Sequence, residues 1–202
     1  MRVTRVGGSA LLIECADGAV EAWWSLLWQR RAAGDLVAVE IVPGARTVLL
    51  DGLDDPDRTA DLVRGWAPPP PAGVAARPLV TVPVVYDGPD LIDVAERWGV
   101  SVPSAVARLA GAELRVAFCG FAPGFAYLSG LPAAWSVPRL DTPRASVPAG
   151  AVGLAGPYVG IYPTRSPGGW RLVGRTDLTL FDVHRDPPAL LAPGTRVRLA
   201  GA

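Results

Sequence analysis

Residues 2–16 alternate apolar and polar side chains. Val3 and Arg5 precede the turn signal Gly7-Gly8, and Ala10 and Leu12 set against Leu11 and Ile13 follow it. That period of two predicts a β-hairpin. The period then lengthens. In AVEAWWSLLWQRRAAG, Val20, Trp23, Trp24, Leu27 and Trp28 fall on one helical face, which predicts a helix with three core tryptophans, capped by Asp17 and ended by Gly34. LVAVEIVPG and ARTVLLDG repeat the hairpin pattern around Pro43-Gly44. DPDRTADLVRGW repeats the helix, with Asp55 as cap and Pro56 at the first position. The order ββαββα predicts a small sheet backed by two helices over residues 1–67.

APPPPAGVAARP interrupts these patterns, and its proline run predicts a stiff spacer and a domain boundary over 68–78. From Leu79 onward a second domain, 79–202, is expected. LVTVPVVY reads as a strand that Pro83 restricts to an edge or a bulge. DLIDVAERWG and SVPSAVARLAG read as an αα-hairpin with Ser101 capping the second helix. Thereafter LRVAFCGF, AVGLAG, VGIYP, WRLVGRT, LTLFDV and TRVRLA are strand-like and broken by Gly and Pro every few residues. This spacing predicts a closed, irregular β-barrel, so the whole chain is α+β.

Residues 116–138 carry no charged side chain, which is long enough for a membrane span. Gly120, Pro123, Gly124, Gly130, Pro132 and Pro138 within it break the backbone hydrogen bonding that a lipid-exposed span requires. The run is expected instead to split into a buried strand, VAFCGF, and a shaped loop, APGFAYLSGLP. Half of the 202 residues are apolar and 19% are charged, which suits a folded chain. No apolar leader is read at the N-terminus, because Glu14 and Asp17 interrupt it, and a cytoplasmic location is expected.

Charge and reactive residues narrow the chemistry. Acids and bases balance at 19 each, and every base is an arginine. A neutral chain offers little to nucleic acid; DVAERWGVSVPSAVARLAG resembles a helix-turn-helix, but its second helix supplies only Arg108. Without lysine there is no P-loop amine and no Schiff base. Cys15, Cys119 and the single histidine, His184, are too few and too scattered for a zinc site, so no metal is expected. Cys119 reads as a core thiol, His184 as a solvated turn residue, and Ser166 lies outside any GxSxG elbow. ASVPAGAVGLAGPYVGIYPT is denser in glycine and proline than core strands tolerate. Such a composition suits either loops that bring backbone N–H groups close to a ligand or the corners of a small barrel.

Three motifs then appear in order: GFAPGFAYL (120–128), PRLDTPR with VPAG (138–150), and GIYPTRSPGGWRLVGRT (160–176), with PGTRVRL (193–199) closing the series. Together they resemble the KipI family, also known as the B-type subunit of 5-oxoprolinase or as allophanate hydrolase subunit 1. The chain departs from the family pattern at Leu109, Ala126, Ala151 and Pro157-Tyr158-Val159.

The resemblance implies a cyclophilin-like barrel after a small α/β domain. It implies one component of an ATP-dependent amidohydrolase that opens 5-oxoproline to glutamate, a component inactive alone. Its partners would be the C-type subunit (KipA, or allophanate hydrolase subunit 2) and the A-type subunit. This chain would bind no cofactor, and ATP would be used through those partners. The alternative from the same resemblance is a regulator that inhibits a histidine kinase.

Transferred to this sequence, the motifs imply a substrate site from Gly120, Phe121, Pro123, Gly124, Phe125, Arg139, Tyr162, Ser166, Gly168, Gly169 and Trp170. Tyr127 is the expected proton donor. Arg144 or Arg175 is expected to stabilise the lactam oxygen, and Arg139 or Arg144 to hold the substrate carboxylate.

Overall fold

In the computed structural model, which describes residues 1–68 and 79–202, the alternating segments at the start of the chain pair as hairpins. β1 (Arg2–Val6) runs antiparallel to β2 (Ala10–Glu14), and β3 (Glu40–Pro43) to β4 (Thr47–Asp51). The four strands form one sheet in the order β1-β2-β4-β3. Helices α1 (Val20–Ala32) and α2 (Pro56–Arg64) follow the two hairpins. Leu11, Ile13, Val48 and Leu50 from the sheet are buried with Trp23, Leu27, Ala60 and Val63 from the helices.

Asp55 caps α2 as expected, accepting the Arg58 backbone N–H at 3.0 Å with Pro56 at the first position. Asp17 does not cap α1. The helix starts from Ala19 without a side-chain cap, and Asp17 instead pairs with Arg46 at 3.1 Å on the surface. Of the three tryptophans expected in the core, only Trp23 is buried. The buried face runs through Val20, Trp23, Leu26 and Leu27, so Trp24 and Trp28 drift onto its flank. Trp24 sends its indole N–H to the Ile41 carbonyl, and Trp28 is 43% exposed beneath the Arg31 guanidinium.

The chain divides into two compact units, Met1–Ala76 and Arg77–Ala202. The spacer expected over 68–78 lies outside the described residues apart from Pro68.

The second unit begins with β5 (Leu79–Val84) and the helical hairpin α3 (Leu91–Arg97) and α4 (Val102–Gly111). Ser101 caps α4 through the Ser104 N–H. The remaining strands are β6 (Leu114–Cys119), β7 (Ala126–Ser129), β8 (Arg144–Val147), β9 (Ala151–Ala155), β10 (Tyr158–Ile161), β11 (Ser166–Gly168), β12 (Arg171–Arg175) and β13 (Arg196–Gly201).

Seven of these make one sheet in the order β12-β9-β10-β7-β6-β13-β5. The two outer strands approach each other at a seam where Val85 and Arg175 exchange both backbone hydrogen bonds at 2.9 Å, nearly closing a barrel. The seam requires Gly174, since a Cβ there would lie 2.5 Å from the Val85 carbonyl oxygen. Pro83 is tolerated because β5 is an outer strand, paired only with β13, in parallel. Val94 of α3 and Leu109 of α4 are buried in the barrel core.

Two expectations change here. AYLS, read as part of a loop, is strand β7, paired on both sides by β6 and β10. LTLFDV, read as a strand, contributes only a bridge between Phe181 and Ala189. The uncharged run therefore resolves into β6, a tight turn, β7 and a 3-10 turn at Ala133–Trp135. Among the described residues, no helix is long and apolar enough to cross a membrane.

Candidate functional site

The turn between β6 and β7, residues 120–125, closes on itself. Gly120 donates its N–H to the Phe125 carbonyl at 3.2 Å, and Phe125 donates back to Ala122 at 2.9 Å. Phe121, at the head of this turn, has a φ of +70° and is 61% exposed. A non-glycine residue in the left-handed region is strained by about 1–2 kcal/mol, so the rest of the turn must hold it there. Gly124 is fixed by packing: a Cβ would lie 2.6 Å from the Phe181 Cβ. Pro123 is exposed beside it.

Beneath the turn lies a second, smaller core built of aromatic rings. Phe125, 1% exposed, meets Tyr162 and Trp170 edge-on at centroid distances of 5.3 and 5.5 Å. Tyr127 stacks on Phe118 at 4.3 Å and touches Tyr158 and Trp170 by their edges. Phe121 reaches down to Phe125 at 5.3 Å.

Glycines make this packing possible. At Gly160 a Cβ would lie 2.8 Å from both the Phe125 and Trp170 rings, and at Gly153 it would lie 3.0 Å from the Trp170 Cβ. Gly168 passes directly under the Tyr162 hydroxyl with no space for a side chain. Ser166 pairs with Val147 across the β8–β11 ribbon, and its buried Oγ has no hydrogen-bond partner among the described residues. Gly169 accepts the Leu140 N–H at 2.7 Å, tying residues 138–144 to the SPGGW segment.

The arginines separate by what occupies them. Arg144, at the start of β8, gives Nη2–H to Asp90 Oδ1 at 2.7 Å and Nη1–H to the Trp170 carbonyl at 3.3 Å. Arg171 is buried and engaged with Asp93 and the Pro138 carbonyl. Arg175 pairs with Asp87 at 3.0 Å and lines a cleft of about 210 Å³ at the barrel seam, with Pro83, Val85 and Leu178. None of that cleft's walls belongs to the aromatic cluster, so Arg175 is not brought to the site.

Arg139 is exposed and makes no ion pair or side-chain hydrogen bond among the described residues. Its charge is nonetheless felt by Tyr162. Burial pushes the Tyr162 phenol up, while the Trp170 backbone and the charges of Arg139 and then Arg144 pull it partly back. Gly120, Phe121, Pro123, Phe125, Tyr127, Arg139, Tyr162, Gly168, Gly169 and Trp170 thus gather around one turn and one ring cluster. Phe118, Tyr158, Gly153, Gly160 and Asp90 belong to the same assembly and were not anticipated. Mid-strand glycine at 153 and 160 was the available signal, since it marks a close approach.

Cys119 ends β6 with its thiol toward the Leu191 carbonyl, and burial pushes it from 9.0 to about 11. Burial likewise pushes the Tyr86 phenol from 10.0 to about 12. Both groups are neutral when protonated, and ionisation is easier in the unfolded chain. Their contribution to stability is therefore complete below about pH 9 and is lost as pH rises through about 11 to 12. Urea midpoints should fall between about pH 8 and about pH 11. In a Cys119→Ser, Tyr86→Phe variant the fall should be smaller, and an equal fall would remove the explanation.

Residues 1–191 match the family model described as carboxyltransferase domain, subdomain C and D. The B-type 5-oxoprolinase subunit of Escherichia coli O157:H7 is 39% identical over 205 residues, covering 96% of this chain and 92% of that protein. The chain belongs to the family of B-type 5-oxoprolinase subunits. A Bacillus subtilis (strain 168) member is 42% identical over 125 residues, 60% of this chain and 52% of that one.

Among solved structures, TTHA0988 superposes with a TM-score of 0.79 at 34% identity, covering 96% of this chain. This chain spans only 40% of that longer one. The conserved protein PH0987 from Pyrococcus horikoshii matches end to end, covering 100% and 97%, at 31% identity and a TM-score of 0.59. The Kluyveromyces lactis urea amidolyase shares the fold, at a TM-score of 0.72 and 19% identity over 99% of this chain and 15% of its own. Leu109, Ala126 and Ala151, expected to depart from the family pattern, are all buried.

Proposed function

We propose that this chain is the B-type subunit of a cytoplasmic, ATP-dependent 5-oxoprolinase that opens the lactam of 5-oxoproline to glutamate. The observation that carries the reading is Arg139, an exposed and unpaired guanidinium beside the Tyr162–Phe125–Trp170 cluster. A substrate with one carboxylate and an apolar ring suits that pairing of a free cation with aromatic surface. Its carboxylate would take two N–H donors from Arg139. Its ring methylenes would rest on Phe121, the exposed ring of the turn.

Opening the amide builds negative charge on the carbonyl oxygen. The backbone N–H groups of the 120–125 turn that are not used within it, those of Phe121 and Gly124, and the guanidinium of Arg144 are the proposed donors to it. Tyr127 is the proposed source of the proton for the departing nitrogen. Arg175, committed to Asp87 at the seam, has no part in this assignment.

The chain has no lysine to hold a phosphate. ATP use is therefore assigned to the partner proteins, with no cofactor held here. Its relatives, each named as a subunit, support a complex. The C-type subunit (the KipA homologue) and the A-type subunit are the proposed partners, and the isolated chain is proposed to be inactive. The test is ATP-dependent glutamate release from the three purified proteins mixed together. Omitting this chain should abolish it, and full activity from the two partners alone would overturn the reading. Tyr127→Phe at the wild-type rate would remove the proton-donor role.

A further inference from the structure

Asp90 and Asp93 lie three residues apart around the start of α3, and each reaches an arginine from a different strand: Asp90 takes Arg144 from β8, and Asp93 takes Arg171 from β12. Asp90 is the more committed of the two. Its residue is 9% exposed, and both carboxylate oxygens are used. Oδ1 accepts from Arg144 at 2.7 Å, and Oδ2 accepts the Leu172 backbone N–H at 2.6 Å. The same carboxylate therefore grips the Arg144 guanidinium and the strand residue two places beyond Trp170.

Arg144 completes the loop by donating to the Trp170 carbonyl at 3.3 Å. Trp170 places its ring against Phe125 and Tyr127, and its backbone and the Arg144 charge both act on the Tyr162 phenol. A guanidinium has five N–H donors. The two bonds described leave others free, and their direction is set by whichever partners hold the plane of the group.

We propose that Asp90 is a positioning residue: Oδ2 anchors its carboxylate on the Leu172 N–H, and Oδ1, together with the Trp170 carbonyl, fixes the plane of Arg144 so that its remaining donors face the lactam carbonyl. The inference rests on the 5-oxoprolinase reading for what Arg144 faces, though not for how Arg144 is held. Asp90 itself touches no substrate, since its oxygens are occupied and it is buried behind Arg144. Asp93 is distinguished from it because Arg97 shares its carboxylate and because Arg171, its partner, is directed at the Pro138 carbonyl.

The experiment has two readouts on the full chain. In the reconstituted complex, Arg144→Ala should lower kcat on the order of 100-fold with KM for 5-oxoproline little changed, because an oxyanion donor acts in the transition state. Asp90→Asn keeps the shape and loses the charge; it should lower kcat on the order of tenfold, again without a KM change. In the Arg144→Ala background, Asp90→Asn should add nothing, whereas a role in folding alone would add its loss independently.

The second readout is nuclear magnetic resonance of the arginine guanidinium groups in the isolated chain. The Arg144 N–H signals should be individually resolved in the wild type and averaged by rotation in Asp90→Asn. Unchanged Arg144 signals in that variant, additive losses in the double variant, or a wild-type kcat for Asp90→Asn would each overturn the proposal. A wild-type complex without ring-opening activity would instead overturn the functional reading, and the resonance result alone would then decide whether Asp90 fixes Arg144.

Discussion

Arg139→Ala should raise the KM for 5-oxoproline about 10- to 100-fold while leaving kcat nearly unchanged, which is the loss expected for charge-assisted hydrogen bonds made equally in ground and transition states. Arg139 has no acidic partner among the described residues, whereas Arg144 has Asp90, Arg171 has Asp93 and Arg175 has Asp87. A guanidinium whose two terminal nitrogens are already engaged, as those of Arg144 are by Asp90 and the Trp170 carbonyl, keeps single N–H donors but no open fork for a carboxylate. An exposed guanidinium pays no desolvation cost until substrate arrives, and its side chain is not tied to a competing acceptor. Arg139→Lys should recover part of the loss, because an ammonium keeps the charge without the planar fork. Steady-state kinetics of the reconstituted complex make the check, and an unchanged KM in Arg139→Ala would transfer the carboxylate role elsewhere.

Phe125→Ala should destabilise the C-terminal unit by about 3–5 kcal/mol, the range for truncating a fully buried aromatic residue. Its ring is the hub of the small aromatic core, in contact with Phe121, Tyr127, Tyr162 and Trp170. The surrounding backbone cannot collapse into the space, since Gly160 already lies against the ring and the 120–125 turn is closed by its own hydrogen bonds. Phe125→Leu, which keeps most of the volume, should cost less than about 2 kcal/mol. Urea unfolding checks the pair. A loss below about 1 kcal/mol in Phe125→Ala, or equal losses in the two variants, would contradict the role of the ring as a packing hub.

The parts of the fold that were legible are those where one residue type admits few conformations. Asp55-Pro56 can hardly do other than start a helix, and Pro83 confines its strand to an edge. Strand β7 escaped because Ala126–Ser129 is only four residues long and follows a Gly- and Pro-rich turn; its identity comes from the ladders offered by β6 and β10. The β8–β11 ribbon escaped for the same reason, its strands being four and three residues long with Pro167 inside the shorter. Trp28 was misplaced because helical spacing locates a face but not its centre, and the centre was set by Trp23 and Leu27.

At the site, the aromatic residues and their glycines were largely visible as a composition unsuited to plain core. The duties of the arginines were not. Asp90 lies 54 residues before Arg144 and Asp87 lies 88 residues before Arg175, so local sequence gives no hint that either cation is already engaged. Only the fold separates Arg139 from the arginines already bound to carboxylates.

The position of β13 bears on how the protein is made. Arg196–Gly201 lies between β5 and β6 in the sheet, not at its margin. The N-terminal sheet and both its helices are complete once residue 64 has left the ribosome, and its longest-range strand pair joins only Leu11 to Leu50. The barrel, in contrast, lacks a central stave until residues 196–201 have been synthesised. One unit can fold while translation continues, and the other must wait with the edges of β5 and β6 uncovered, the interval in which a nascent chain most needs protection from wrong partners.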